Sequence, residues 1–181
     1  MNGEALLNHV NCLSCTNGSE ENLISKLLQL LPQGTVAISP VIERTEKHNR
    51  QWVVFTVKLT PGYVFVFSET AVQWDLIRVN VNFNRVLAYS DRNEQGNESS
   101  FDLRGGDLDF AKWIYYNKGR IEVSKAISIN KKVVIIDGPL VQYNGRTIRI
   151  DKHNRKALVS ICFCNVEKKV WLSFDWLKED Q

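Results

Sequence analysis

The amino-acid sequence predicts an α+β protein in two parts, an antiparallel sheet with flanking helices followed by a small closed β-barrel. Three observations predict it. Apolar residues repeat at helical spacing between residues 20 and 31, so an amphipathic helix is expected there. β-rich segments come before and after that helix, with two further helical stretches downstream, which suits helices laid on an antiparallel sheet. From Lys131 onward no helical period survives, and short strands alternate with turns, a pattern that favours a barrel because closure removes exposed strand edges.

The elements follow in order. Val10 to Leu13 reads as a short strand, Asn17-Gly18 as a turn and Ser19 as an N-cap. The helix behind it carries Leu23, Ile24, Leu27, Leu28, Leu30 and Leu31. Glu20 and Glu21 suit its positive end and Pro32 stops it. Thr35 to Ile42 and Gln51 to Leu59 are β-rich and joined by the charged stretch Glu43 to Arg50, which predicts a hairpin with a mobile tip. Thr60-Pro61-Gly62 turns into the apolar strand Tyr63 to Phe67. A second helix is expected across Thr70 to Val79, a strand across Arg85 to Tyr89 and a polar loop across Ser90 to Ser100. Asp107 is placed to cap a third helix containing Leu108, Ala111, Ile114 and Tyr115, and Gly119 to end it. Beyond Lys131, turns are marked by Asp137-Gly138-Pro139, Asn144-Gly145, Lys152 to Asn154 and Asn165 to Lys168. Asn-Gly is a strong hairpin signal because both residues tolerate positive φ.

Composition limits the function. Of 181 residues, 44% are apolar and 24% charged, the usage of a folded protein. The apolar runs, such as Val133 to Ile136, fall far short of the roughly 18 residues that cross a bilayer. Glu4 precedes Leu6 and Leu7 with no basic start, so no secretory signal is expected and the protein is read as a cytoplasmic monomer. Charge is uneven: residues 125–181 hold 11 Lys/Arg against 6 Asp/Glu, and residues 1–124 hold 12 against 14. A basic carboxy-terminal half hints at a polyanionic partner.

The cysteines form two close pairs, Cys12/Cys15 and Cys162/Cys164. A zinc knuckle needs a tight turn, whereas Cys12 lies in an extended stretch and Cys162/Cys164 sit two apart on one strand. Reduced cysteines and no metal are expected. His9, His48 and His153 have no nucleophile or metal spacing around them, and Gly105-Gly106 is no phosphate cradle. No enzyme activity and no cofactor are predicted.

Strand parity adds a surface. Ala157, Val159, Ile161 and Phe163 should face the core, as should Val170, Leu172, Phe174 and Trp176 on the next strand. Trp171 then lies on the outer face. Arg149 does too if Ile148 and Ile150 point inward. An outward Trp beside Arg and Lys can stack unpaired bases. The alternative is that Trp171 packs under the other domain or a loop.

Val133 to Pro139, then Asn144-Gly145, then a strand ending at Ile150 before Asp151 and Lys152 resemble the KOW motif. Pro61-Gly62-Tyr63-Val64-Phe65-Val66 resembles the Pro-Gly-Tyr-Val segment of the NusG amino-terminal domain. Gly119 to Ala126, Phe110 to Trp113 and Val170-Trp171-Leu172 are most similar to the specialised LoaP-type antiterminators. The resemblance implies a NusG amino-terminal domain over 8–118, a linker over 119–130 and a five-stranded SH3-like KOW barrel over 131–178. It implies binding to elongating RNA polymerase, antitermination within long biosynthetic operons and contact of the KOW domain with nascent RNA, including a leader hairpin. Tyr63 and Phe65 fall on the implied polymerase-binding patch. On this chain's own basic charge and strand parity, the barrel is expected to hold RNA through Arg146, Arg149, Lys152, Arg155, Lys156 and Trp171. Three positions depart from the pattern: Thr60 replaces the aromatic before Pro-Gly-Tyr, Val10 and Asn11 stand where an aromatic pair is common, and Leu140 replaces the aromatic after Asp-Gly-Pro. The last weakens the expectation of contacts with Rho or the ribosome. A ribosome- or RNA-associated KOW module, or a general elongation factor, is the alternative.

Overall fold

A computed structural model describes residues 7–91, 98–141, 147–164 and 166–177. The Asn144-Gly145 turn and Arg146 lie outside the described residues, as do the middle of the Ser90 to Ser100 loop and Asn165. The chain divides into two compact units. One comprises the chain up to Pro40 and Thr60 to Tyr116; the other comprises Val41 to Leu59 and the chain from Asn117 onward.

The first unit is built on a sheet in which β1 (His9–Ser14) lies between β5 (Tyr63–Ser68) and β6 (Arg85–Val86), with β2 (Val36–Ile38) on the far side of β5. Each of these pairings is antiparallel. Both faces of the sheet are covered. Leu13, Val64 and Val66 share a buried cluster with Leu23, Leu27 and Leu31 of helix α1 (Glu20–Leu30) and its cap, and with Trp74, Val81, Phe83 and Val86. The buried leucines are spaced by four, one face of the helix. Leu28 and Leu30, on other faces, are exposed. The opposite side of the sheet meets α3 (Gly105–Tyr116): the Phe65 and Phe110 rings pack edge to face at 5.8 Å, and Phe67 lies 4.9 Å from Tyr115. The expected second helix is shorter, α2 (Trp74–Arg78). The remaining strands of this unit are β7 (Tyr89–Asp91) and β8 (Glu98–Ser100), paired with each other.

Two caps differ from expectation. Ser19 occupies the N-cap of α1, but its hydroxyl donates to the Thr16 carbonyl and makes no cap bond. Asp107 lies inside α3, buried, and accepts a hydrogen bond from the Tyr89 hydroxyl. The N-terminal position of an anion on α3 is also favoured by the helix dipole.

The second unit contains a hairpin of β3 (Val41–His48) and β4 (Gln51–Lys58). The segment Thr35 to Ile42 is therefore two strands, broken at Pro40, which lacks the N–H a continuous strand would donate. The charged stretch expected as a mobile tip is itself β-structure: Glu43 pairs with Thr56, Glu46 with Val53 and Lys47 with Trp52. The turn is only Asn49-Arg50, both at positive φ (47° and 67°), the geometry that matches strand twist in two-residue hairpins.

The segment 119–130, expected as a linker, carries two strands. β9 (Arg120–Ile121) pairs parallel with the start of β3, and Glu43 ties it in through Arg120, 2.7 Å away, and the Val123 amide. β10 (Ser124–Ile129) is the first strand of a five-stranded sheet that also holds β11 (Lys132–Asp137), β12 (Thr147–Asp151), β13 (Lys156–Phe163) and β14 (Val166–Trp176), in the order β11-β10-β14-β13-β12. β10 joins β14 in parallel; the other ladders are antiparallel. Ala126, Leu140, Ala157, Val159, Ile161, Phe163, Leu172 and Phe174 are buried, so the expected alternation along β13 holds without a break. It does not hold on β12. A bulge between Thr147 and Arg149 interrupts the ladder at Ile148, which is 49% exposed; Ile150 stays opposite the buried Ala157, on the core face, but β12 is an edge strand and leaves it 37% exposed. A bulge leaves its extra residue unpaired and bends an outer strand.

Two contacts set this unit. Gly138 lies at φ +92°, and a Cβ there would stand 2.8 Å from the Ser124 Cα. That same serine's Oγ accepts the Leu140 amide at 3.0 Å, so the Asp-Gly-Pro turn is seated directly on β10. Second, the Thr45 amide of β3 donates to Ser173 Oγ of β14 at 3.0 Å, in a buried bond across 128 residues. Gly138→Ala adds both a left-handed-region strain and a backbone clash, and should cost about 1–3 kcal/mol or more, read as a lower melting temperature. Ser173→Ala leaves a buried N–H unpaired and should cost about 1–3 kcal/mol in chemical denaturation; a change near zero would mean the hairpin edge is wetted.

Candidate nucleic-acid interface

The antiparallel registers build one cross-strand row. Arg149 of β12 stands opposite Leu158 of β13, and Leu158 stands opposite Trp171 of β14. Directly opposed residues project to the same face, so Arg149 and Trp171 share the outer face, with Leu158 between them. The next row along is Asp151, Lys156 and Ser173.

That face is not open along its whole length. The β3–β4 hairpin lies over it at Ser173, and the Arg155 guanidinium sits 4.4 Å from the centroid of the Trp52 ring on β4. Where hairpin and sheet meet, Arg44, Asp151, Asn154, Lys156 and Trp171 line a recess of about 260 Å³. Trp171 and Lys156 are half-buried there. The Arg44 Nε is buried and has no hydrogen-bond partner among the described residues. Asp151 is fixed by a tight turn: its carboxylate accepts the Asn154 amide at 3.0 Å and the Asn154 side-chain Nδ2 at 2.8 Å. These bonds, with the His153 amide and the charge of Arg149, hold the Asp151 carboxyl below its ordinary pKa.

The six residues expected to bind RNA therefore separate. Lys156 and Trp171 come together in the recess. Arg149 is exposed on the same face. Lys152 is exposed, with its ammonium donating to the Lys131 carbonyl. Arg155 is engaged within the protein, paired with Asp175 and stacked on Trp52, so it serves the fold before any partner. Arg146 lies outside the described residues. Arg44 was missed because its place in the sequence, on a charged strand far from Trp171, carries no sign of the fold-back.

In the first unit, Tyr63 is half-buried and lines a recess of about 410 Å³ with Pro61, Gly62, Asn84 and Arg85. Phe65 does not join it. Its side chain is fully buried under α3, which corrects its expected place on a polymerase-binding patch: burial of such a ring stabilises by roughly 1.5–3 kcal/mol and makes it core. Gly62 positions this corner. Its amide donates to the buried Glu20 carboxylate at 2.6 Å, and its carbonyl accepts the Cys15 amide at 2.8 Å. Cys12 pairs opposite Phe65 while Cys15 belongs to the α1-side cluster, so the extended strand sends the two thiols to opposite faces.

No family model matches the chain, and no curated protein matches it. Thirteen chains of known structure do match. One of them, described as "Domain interaction in Thermotoga maritima NusG", is 16% identical over 91% of this chain and 93% of that chain, with a TM-score of 0.47. At that identity and score, the functional reading rests on this chain's own residues. No helix among the described residues is long and apolar enough to cross a membrane.

The Asp151 turn makes a pH prediction. Because its folded-state pKa is depressed, the stabilisation it brings is present at neutral pH and is lost as pH falls through the folded-state value. Carboxyl carbon shifts followed by NMR should place the Asp151 midpoint below that of an ordinary aspartate, and Asn154→Ala should raise it. An unmoved midpoint in that variant would mean Asn154 is not the cause.

Proposed function

We propose that the chain is a non-catalytic transcription elongation factor of the NusG type, specialised for antitermination like the LoaP branch. In this reading the first unit binds RNA polymerase and the second contacts nascent RNA. The single observation that carries the RNA half is the recess in which Trp171 lies with Arg44 and Lys156. An aromatic ring supplies a stacking surface that any unpaired base can use, and neighbouring cations track phosphate. The polymerase half is supported by the resemblance of Pro61 to Val66, with Tyr63 as the contact that stays half-open.

Mechanistically, such a factor works by differential affinity. A protein that binds the elongating polymerase more tightly than the paused or terminating state shifts the population toward elongation without breaking a covalent bond. RNA bound by the second unit would raise the local concentration of the first near the polymerase, so recruitment depends on both. Arg149, Lys152 and Lys156 supply sequence-independent attraction; the Trp171 ring supplies contact with the base.

In vitro transcription across a terminator, with templates carrying different leader RNAs, should show increased read-through with at least one leader when the protein is added. Unchanged termination on every template, together with failure to retain core polymerase in a pull-down, would overturn the reading; retention of ribosomes alone would favour a ribosome-associated module. Trp171→Ala should weaken RNA binding by about 1–3 kcal/mol while the thermal melt stays cooperative. Affinity should also fall steeply with added salt, and a flat salt dependence would remove RNA from the partner list.

A further inference from the structure

We infer that the β3–β4 hairpin is half of the RNA site: Arg44 completes, with Trp171, Lys156 and Asp151, a recess that takes one unpaired nucleotide of single-stranded RNA. This rests on the reading of the second unit as an RNA-binding unit and assigns its contact residues.

Four observations lead to it. The recess, at about 260 Å³, lies below the roughly 300 Å³ at which pockets begin to enclose a drug-sized ligand, so it has room for at most one partly seated nucleotide and excludes a folded partner. Its lining combines one indole, two cations, one carboxylate and one carboxamide. A site for phosphate alone gains nothing from a carboxylate, which repels it; a nucleotide has both an anionic phosphate for Arg44 and Lys156 and base N–H donors that Asp151 can accept. The buried Arg44 Nε lacks a hydrogen-bond partner among the described residues, and a buried donor left unpaired is costly until a ligand accepts from it. Finally, the hairpin is pinned at two points beside the recess, Thr45 to Ser173 and Trp52 to Arg155. Arg44 is thereby held on the strand next to a buried anchor, and a pre-placed guanidinium loses little freedom on binding.

The consequence is that the five-stranded sheet by itself is an incomplete RNA-binding module. Arg155 contributes indirectly, by holding Trp52 and with it the hairpin, and is a positioning residue.

The test uses the full chain and a fluorescently labelled, random-sequence single-stranded RNA of about 15 nucleotides, near the upper span of a single-strand-binding module, read by anisotropy. Arg44→Ala should weaken binding on the order of tenfold and lower the slope of log affinity against log salt by about one. Lys47→Ala, which removes an exposed charge from the same strand outside the recess, should change affinity less than about twofold. The effects of Arg44→Ala and Trp171→Ala should be non-additive, as for residues sharing one ligand. If Arg44→Ala lowers the melting temperature, Arg44→Gln, which keeps the stem, replaces it in the same comparison. Wild-type affinity in the Arg44 variants while Trp171→Ala weakens binding would overturn the composite site and leave the sheet as the RNA-binding surface. Equal losses from Arg44→Ala and Lys47→Ala would also overturn it, since the effect would then be general charge. Failure of the unaltered protein to bind any such RNA would overturn both this inference and the RNA half of the proposed function.

Discussion

The bond from the Thr45 amide to Ser173 Oγ is the constraint on which the second unit depends. A strand edge carries unpaired N–H and C=O groups that must find partners if they are buried. The start of β3 meets this need with β9, and past Ile42 the edge turns to the side chain of Ser173. The serine lies on the outer face of β14, where parity alone would leave it in water, yet it is 2% exposed. Together with the β9 ladder and the Arg155 contact with Trp52, this hydroxyl holds an insertion between two strands of the first unit as a structural part of the second. The recess and Arg44 lie beside that attachment, and the Trp52 contact with Arg155 adds a second.

The first unit shows a different economy. Its sheet is buried on both faces, so alternate residues of β1 and β5 feed two separate cores: Leu13, Val64 and Val66 toward α1, and Cys12, Phe65 and Phe67 toward α3. That is why Tyr63 to Phe67 reads as an unbroken apolar run. It also separates Tyr63 from Phe65. The tyrosine sits at the strand's opening beside the Gly62 turn, while the phenylalanine two residues on is covered by Phe110. A surface patch inferred from a motif must survive this distinction between a strand's end and its middle.

Charge in the second unit is likewise divided between support and display. Arg120 with Glu43, Arg155 with Asp175 and Lys125 with Asp137 are ion pairs within the protein. Pairs as exposed as the last add little stability, but Arg155 also lies over an aromatic ring, which couples its position to the hairpin. A count of basic residues therefore overstates what is available to a polyanion. What distinguishes Arg44, Lys156 and Arg149 is their place on one outer face or recess, not their number.

Local pattern by itself determined much of this protein. The α1 leucines at spacing four, the alternation of Ala157, Val159, Ile161 and Phe163, the Gly138 turn and the outward parity of Trp171 are all consequences of residue type and spacing, because helical and strand periods are written in the chain. The tertiary structure decided the rest. Pro40 split one β-segment between two units, the expected linker became β9 and β10, and a bulge at Ile148 interrupted the β12 ladder at the sheet's edge. Arg44 came to Trp171 beside the Thr45–Ser173 bond, which spans 128 residues. Such a contact leaves no periodic trace, since it depends on which distant strand edge a hairpin finds to satisfy its hydrogen bonds, and only the folded chain brings the two together.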